Sequence, residues 1–209
     1  NNWTWSSSND DVATVDNNGK ITGKSIGHTT IVAINNENGA KAKAIVNVYR
    51  NVQGAITIPQ VKLGEGFIAA LKEDGTLWTA GRNDYGQLGI GTTTNTNILQ
   101  QVKINENTYL TNVRKIETTA YGMIIMTADG KVYGCGDNTY GELGQGDTTK
   151  RPYATQMKDS EGTGYISNII DIASSEDEVT VLLDANGKVY GLGQNENGDF
   201  ETSGDAYTL

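Results

Sequence analysis

The sequence has few of the residues on which most enzyme active sites depend. Among 209 residues there is one cysteine, Cys135, and one histidine, His28. A single cysteine cannot form a disulfide within the chain, and a single imidazole has no second histidine to complete a metal site. No apolar run approaches the roughly 20 residues of a membrane-spanning helix. We therefore expect no catalytic site, no cofactor, no bound metal and no membrane insertion.

Proline is also scarce, whereas glycine is abundant. Pro59 and Pro152 are the two prolines, against 26 glycines. The glycines show no collagen-like period, so they are expected to serve tight turns between short segments. This composition predicts an all-β fold.

Positive charge is sparse in the second part of the chain. Residues 1–50 carry five basic and four acidic side chains, whereas residues 51–209 carry 11 basic and 21 acidic ones. Within 169–209 nine acidic residues stand against Lys188 alone. This excess would repel a phosphate backbone, which predicts no direct binding to nucleic acid. A solvated surface is the simplest interpretation, and a basic partner is the alternative.

The first 50 residues predict two hairpins. Strand-like segments at 11–16 and 20–23 flank Asn18-Gly19, and segments at 29–34 and 40–49 flank Asn38-Gly39. Four short strands suggest an immunoglobulin-like sandwich, but such sandwiches need roughly 100 residues and seven strands. We therefore expect residues 1–50 to form a partial sandwich.

Several motifs in this segment resemble the bacterial immunoglobulin-like group 2 domain over residues 3–50. They are Trp5-Ser6-Ser7-Ser8-Asn9, Val12-Ala13-Thr14-Val15-Asp16, Asn18-Gly19-Lys20-Ile21-Thr22-Gly23 and Gly27-His28-Thr29-Thr30-Ile31. The resemblance implies a spacer or adhesive module of an exported bacterial surface protein. That family has further strands before the tryptophan, so we expect the chain to be a piece of a longer protein.

The remaining residues contain an internal repeat. Segment 74–81 recurs at 129–136 and 186–193, with offsets of 55 and 57 residues, and nine of eighteen positions are identical between 74–91 and 129–146. Each unit reads as an apolar strand, an Asp-Gly or Asn-Gly turn and a short strand that ends in glycine. Flanking segments such as 99–104 and 113–117 bring each unit to about four strands, as in a propeller blade.

The repeated residues resemble the regulator of chromosome condensation repeat over about 52–209. The resemblance implies three blades of an incomplete β-propeller in residues 51–209, with cores near 61–95, 113–150 and 169–205. A closed propeller of this family has about seven blades. The repeat positions expected to be structural are Gly75, Gly81, Asn83, Gly86, Leu88, Gly130, Gly136, Asn138, Gly141, Leu143, Gly187, Gly193, Asn195 and Gly198.

Two positions depart from that family's pattern. The tryptophan that usually precedes the core glycine is replaced by Ala80, Cys135 and Leu192. The usual histidine before the turn is replaced by Phe67, Gly122 and Val179. Both departures argue that this chain does not have the nucleotide-exchange role of the eukaryotic family members.

Other residues that often carry chemistry have simpler interpretations. His28 is expected at the surface, and Cys135 is expected to be buried because Ala80 and Leu192 occupy its place in the other units. The runs Glu176-Asp177-Glu178 and Asp10-Asp11 lack the spacing of a calcium loop. The glycine-rich segments 86–91 and 141–146 lack the lysine of a phosphate-binding loop and are expected to be interblade turns. Trp3 and Trp5 are expected to be core or cap residues, with sugar stacking as the alternative.

The sequence thus predicts a non-catalytic, exported bacterial surface protein fragment, in which a spacer domain precedes propeller repeats that bind a protein or glycan ligand. Two alternatives stay open. One is a structural subunit of an extracellular fibre or layer, assembled through open sheet edges. The other is a propeller-type inhibitor of a secreted enzyme, which an exposed aromatic cluster on one face would favour.

Both predicted folds are unfinished, which leaves apolar faces and strand edges without partners. We expect either that the missing segments lie elsewhere in a longer protein or that another chain contacts residues 1–50 or 169–209. In both cases the isolated chain should be poorly stable or should associate.

Overall fold

The structure, a computed structural model, describes residues 2–25, 27–48, 57–159 and 162–195. The chain forms two compact units, Asn1–Ile56 and Thr57–Leu209. Every regular element in the described residues is a β-strand. No helix in these ranges is long and apolar enough to cross a membrane. The predicted all-β fold is therefore confirmed.

The first unit has a three-stranded and a two-stranded antiparallel sheet. In chain order its strands are β1 (Trp3–Ser7), β2 (Ala13–Val15), β3 (Ile21–Gly23), β4 (Gly27–Asn35) and β5 (Lys41–Val48). Strands β1, β4 and β5 form the larger sheet, and β2 pairs with β3. Both predicted hairpins are present, and β1 is a strand that the turn pattern did not indicate.

Strand β4 shows why this unit has one buried face. Its buried side chains alternate at Thr29, Ile31 and Ala33, as expected for a strand with one covered side. Trp5 is partly buried, and its ring lies where a side chain at Gly19 would fall, so it caps the β2–β3 turn. Trp3, expected to be a core or cap residue, is 42% exposed and is therefore not part of the core.

The second unit is built from repeated antiparallel sheets, which we name blades 1, 2 and 3. Blade 1 contains β6 (Gln60–Gly64), β7 (Phe67–Leu71), β8 (Leu77–Gly81) and β9 (Thr96–Gln101), and a hairpin of β10 (Lys103–Asn105) and β11 (Thr108–Tyr109) follows it. Blade 2 contains β12 (Val113–Thr118), β13 (Gly122–Thr127), β14 (Val132–Gly136) and β15 (Arg151–Gln156). Blade 3 contains β16 (Ile169–Ser174), β17 (Val179–Asp184) and β18 (Val189–Gly193) among the described residues.

The strands differ from the sequence prediction in two places. The segment 99–104 was predicted as one strand, but it divides at Val102, which is fully buried and donates its backbone N–H to Leu77 O. Four strands were predicted for each blade. Three are described in blade 3, and residues 196–209 lie outside the described ranges, as does the end of the predicted core at 205.

The blades pack face to face through two apolar clusters. One lies between blades 1 and 2 and includes Leu77, Ile116 and Ile125. The other lies between blades 2 and 3 and includes Ile124 and Leu182. The first strands of successive blades are joined by ion pairs, Lys62 with Glu117 at 2.5 Å and Lys115 with Asp171 at 2.5 Å. Each blade is therefore joined to the next by an apolar cluster, as expected for a repeat protein.

Candidate interaction surface

A buried asparagine holds the loop that follows β8 in blade 1. The Asn83 side chain is fully buried, and its amide nitrogen donates to Thr92 O at 2.8 Å and Thr94 O at 3.1 Å. Its side-chain oxygen accepts the Leu88 N–H at 3.0 Å. One amide thereby satisfies three backbone groups that would otherwise be buried without partners. This arrangement fixes the loop from residue 83 to residue 94.

Blade 2 repeats this arrangement at the equivalent asparagine. Asn138 is fully buried, donates to Asp147 O at 2.7 Å and Thr149 O at 3.2 Å, and accepts the Leu143 N–H at 2.9 Å. Leu88 and Leu143 are also fully buried. In blade 3 Asn195 is 4% exposed. Asn83 and Asn138 therefore hold the loops that follow β8 and β14 in place.

The repeated glycines lie where the backbone passes close to its neighbours. The strand-end glycines Gly81, Gly136 and Gly193 have φ angles of 119°, 109° and 98°. A β-carbon on Gly136 would overlap Tyr121 O and lie 2.6 Å from Gly122 Cα. The remaining described repeat glycines lie in turns and also have positive φ: Gly75, Gly86, Gly130, Gly141 and Gly187. Gly198 lies outside the described residues.

Tyr85, in the loop held by Asn83, meets Tyr121 of the β12–β13 connection at one end of blades 1 and 2. Tyr85 and Tyr121 stack with ring centroids 4.9 Å apart and an interplanar angle of 29°. The Arg82 guanidinium lies 5.9 Å from the Tyr85 ring centroid and 5.2 Å from that of Tyr121. All three side chains remain partly exposed. We call Arg82, Tyr85 and Tyr121 the tyrosine patch.

Acidic side chains border the tyrosine patch and fix its arginine. Arg82 Nε lies 2.6 Å from Asp84 Oδ2, and Arg82 Nη1 lies 3.6 Å from Glu65 Oε1. The hydrogen bond to Asp84 raises the pKa of Arg82. A hydrogen bond with Glu65 raises the pKa of Tyr121, so its phenol stays protonated at neutral pH. The patch is therefore a preorganised aromatic and cationic surface with an acidic border.

A groove of about 250 Å³ lies elsewhere on the second unit. Tyr109, Tyr133, Asp129 and Lys131 contribute to its lining. Tyr109 is 51% exposed, and Lys131 pairs with Asp129 at 2.7 Å. Aromatic rings beside hydrogen-bonding side chains are a surface on which a sugar ring can stack.

The residues singled out from the sequence for possible chemistry are not brought together. His28 lies exposed on β4. Asp10 and Asp11 are exposed, as are Glu176 and Asp177, whereas Glu178 turns inward with φ of 59° and is 7% exposed. No group of three or more possible metal ligands occurs among the described residues.

Cys135 is fully buried, as predicted, and burial raises the pKa of its thiol to about 12. We expect a thiol reagent at pH 8 to label the native protein at the rate at which blade 2 opens, because only the thiolate reacts and the folded chain excludes the reagent. Mass spectrometry should show slow labelling that becomes rapid in denaturant. Labelling of the native chain as fast as that of the denatured chain would contradict this.

Family comparison finds two modules in this order. The model of the bacterial Ig-like domain (group 2) matches residues 1–46. One model of the regulator of chromosome condensation (RCC1) repeat matches residues 74–121 and 129–182, and a second matches residues 60–87 and 113–142. The two resemblances predicted from the sequence are thereby confirmed.

Curated relatives match a little under half of the chain. The chain is 33% identical to the ultraviolet-B receptor UVR8 of Arabidopsis thaliana over 96 residues, which are 46% of this chain and 21% of the receptor. It is 32% identical over 97 residues to an X-linked retinitis pigmentosa GTPase regulator homolog of Caenorhabditis elegans, covering 46% of this chain and 7% of that protein. The chain thus matches less than a quarter of either relative.

Solved structures share the fold. Yeast RCC1 (Prp20), solved bound to Kap60, superposes with a TM-score of 0.57 at 17% identity, covering 85% of this chain and 45% of that chain. Human WBSCR16 gives a TM-score of 0.57 at 15% identity, covering 88% of this chain and 52% of that chain. At such low identity the likeness concerns the propeller architecture.

Proposed function

We propose that this chain, which belongs to the regulator of chromosome condensation repeat family and carries a bacterial Ig-like (group 2) segment before the repeats, is a non-catalytic interaction protein. Its propeller fold is one on which loops present binding surfaces. We propose further that it is an exported bacterial surface protein whose first unit is a spacer. The Ig-like segment supports this second proposal.

The tyrosine patch is the observation that carries the binding function. Tyrosine and arginine are among the residues most enriched in the energetic centres of protein interfaces. Here both rings and the guanidinium are already held by contacts within the chain, so binding would immobilise few additional side chains. The acidic border of Glu65 and Asp84 favours a partner segment that carries positive charge.

Removal of one ring should test this function. Peptides selected from a displayed random library against the 209-residue chain should weaken in binding by about tenfold or more when Tyr121 is replaced by alanine, because truncation of an interface hot spot has effects of this size. Isothermal titration calorimetry would measure the loss. Tyr165→Ala is the control, since Tyr165 is 63% exposed outside the patch. Selected peptides that bind Tyr121→Ala with unchanged affinity would contradict the proposal.

A glycan is the alternative ligand, and a glycan array tests for it with alanine variants of the same kind. If a glycan array shows a sugar whose binding is lost in Tyr109→Ala but retained in Tyr121→Ala, the 250 Å³ groove and not the tyrosine patch is the binding surface. That result would replace the proposed peptide partner by a glycan.

Assembly through blade faces is a second candidate function, and a comparison within the chain favours it. Val61, Leu63 and Ile68 lie on one face of blade 1 and are 72%, 70% and 41% exposed. In blade 2 the residues at the positions of Val61 and Ile68 are Ile116 and Met123, and both are fully buried. The face that blade 2 buries against its neighbour is therefore open in blade 1. We call it the open face.

We expect the open face to cause concentration-dependent association of the isolated chain, because exposed apolar faces of sheets seek partners. Replacing Val61 and Leu63 together by lysine should make the chain monomeric in sedimentation velocity. Ile45→Lys is the matched control, since Ile45 is 74% exposed on β5 of the first unit. Association that persists in the double variant but disappears in Ile45→Lys would place self-assembly in the first unit instead.

A further inference from the structure

Two carboxyl groups are buried together between blades 2 and 3. Glu142 lies in the loop after β14 of blade 2 and is fully buried, and Glu178 precedes β17 of blade 3 and is 7% exposed. Besides burial, the charge of Glu178 raises the pKa of Glu142, whereas the side chains of Thr119 and Glu142 lower the pKa of Glu178. Gly193 of blade 3 packs against the same place, since a β-carbon on it would lie 3.1 Å from Glu142 Cβ.

Each carboxyl group has one oxygen with a backbone partner and one without. Glu142 Oε2 accepts the Tyr140 N–H at 2.9 Å, and Glu178 Oε1 accepts the Tyr121 N–H at 3.4 Å. Glu142 Oε1 and Glu178 Oε2 are buried and have no hydrogen-bond partner. Two ionised carboxylates would leave both oxygens unsatisfied and would repel each other across the interface. Asp137 adds further negative charge that acts on both groups.

One proton resolves both problems, because a protonated carboxyl donates to the ionised one and satisfies the two orphaned oxygens together. We propose that Glu142 and Glu178 share a single proton, which binds blade 3 to blade 2 at neutral pH and is released, loosening blade 3, as the solution becomes alkaline. This inference does not depend on the proposed binding function.

The interface between blades 1 and 2 supplies an internal comparison. Gln87 occupies the position of Glu142, is fully buried, and accepts the Tyr85 N–H at 3.0 Å through Oε1. Gly136 packs against it as Gly193 packs against Glu142, since a β-carbon on Gly136 would lie 3.2 Å from Gln87 Cα. The site thus accommodates a neutral side chain of the same shape, which is what a protonated Glu142 presents.

Burial supports the proposal by favouring the neutral form. Desolvation is the main cause that raises the pKa of Glu142, from 4.5 to about 8, and it also raises the pKa of Glu178. A group with a raised pKa in the folded state binds more protons when folded than when unfolded between those two values. Stability therefore falls as pH rises through the window from about 4.5 to 8.

Unfolding of the 209-residue chain should be measured against pH in the wild type and in Glu142→Gln. Linkage of one proton gives a rise in the unfolding constant that approaches tenfold per pH unit in the middle of the window. Glu142→Gln should lose most of this dependence, so its midpoint temperature should be close to that of the wild type near pH 5 and exceed it near pH 8.5. Glu176→Gln, an exposed change two residues from Glu178, should behave as the wild type. Parallel pH profiles for the wild type and Glu142→Gln would overturn the proposal.

Infrared spectroscopy provides an independent readout that does not rely on stability. At pH 7 the wild type should show the band of one protonated carboxyl group, and Glu142→Gln and Glu178→Gln should each change it. Absence of that band from the wild type at pH 7 would show that both carboxyl groups are ionised. Loss of the pH dependence of unfolding on addition of calcium or sodium would show that a bound cation takes the place of the proton. Either result would overturn the proposal that the two carboxyl groups share a proton.

Discussion

Replacing Gly136 by alanine should destabilise the second unit by about 3–5 kcal/mol, among the largest effects of any single substitution. The φ angle of 109° is one that residues with a β-carbon rarely adopt, and the added carbon would overlap Tyr121 O and approach Gly122 Cα to 2.6 Å. Neither neighbour can move freely, because both belong to the backbone that leads into β13. Urea unfolding monitored by circular dichroism would measure the loss.

Gly187→Ala separates backbone strain from close approach. Gly187 has a φ of 84°, but nothing lies within 4 Å of where its β-carbon would be. Only the conformational cost applies there, which is about 1–2 kcal/mol. Equal losses in the two variants would show that the close approach at Gly136 does not contribute.

Asn138→Ala should cost about 3–4 kcal/mol for a different reason. The variant leaves the Leu143 N–H and the carbonyls of Asp147 and Thr149 without their side-chain partner in a buried site. Unsatisfied buried polar groups cost about 1–3 kcal/mol each, and partial relaxation reduces the total. Thermal unfolding should show the loss, and Asn107→Ala, at an exposed turn, should stay within about 0.5 kcal/mol of the wild type.

Asn138→Asp tests whether hydrogen bonding or volume is responsible. Aspartate has nearly the same shape, but at pH 7 it cannot donate, and its charge would face two carbonyl oxygens. We expect it to be at least as destabilising as alanine. An Asn138→Asp variant of wild-type stability would mean that the amide donates nothing that the loop requires.

The repeat made much of the second unit predictable. Gly81, Gly136 and Gly193 recur at nearly constant spacing, and each ends a strand in the structure. Asn83 and Asn138 recur in the same way, and the structure shows them making equivalent hydrogen bonds. Such positions can be predicted from the sequence because every blade contains the same turn and the same close contact between backbone segments.

The surface features were not predictable in this way because they depend on contacts between blades. Arg82 has no arginine at its equivalent position, where blade 2 has Asp137, and Tyr121 reaches Tyr85 from a different blade. Likewise, Glu142 reads as an ordinary polar residue in the sequence. Its burial depends on the packing of Gly193 from blade 3, which only the folded chain brings to it.

The division of segment 99–104 shows the same limit in the fold. Its apolar residues suggest a single strand, but the backbone N–H of Val102 bonds to Leu77 O and that of Lys103 bonds to Gly89 O. These tertiary hydrogen bonds redirect the chain into the β10–β11 hairpin. The β-propensity of the residues in the segment does not predict these tertiary hydrogen bonds.

Hydrogen–deuterium exchange with a peptide selected on the intact chain is the measurement that tests the binding account most directly. If the tyrosine patch is the binding surface, the amides around Arg82, Tyr85 and Tyr121 should gain protection on peptide binding, and those of the first unit should not change. Protection confined to the groove around Tyr109, to the open face around Val61, or to the first unit would contradict the account.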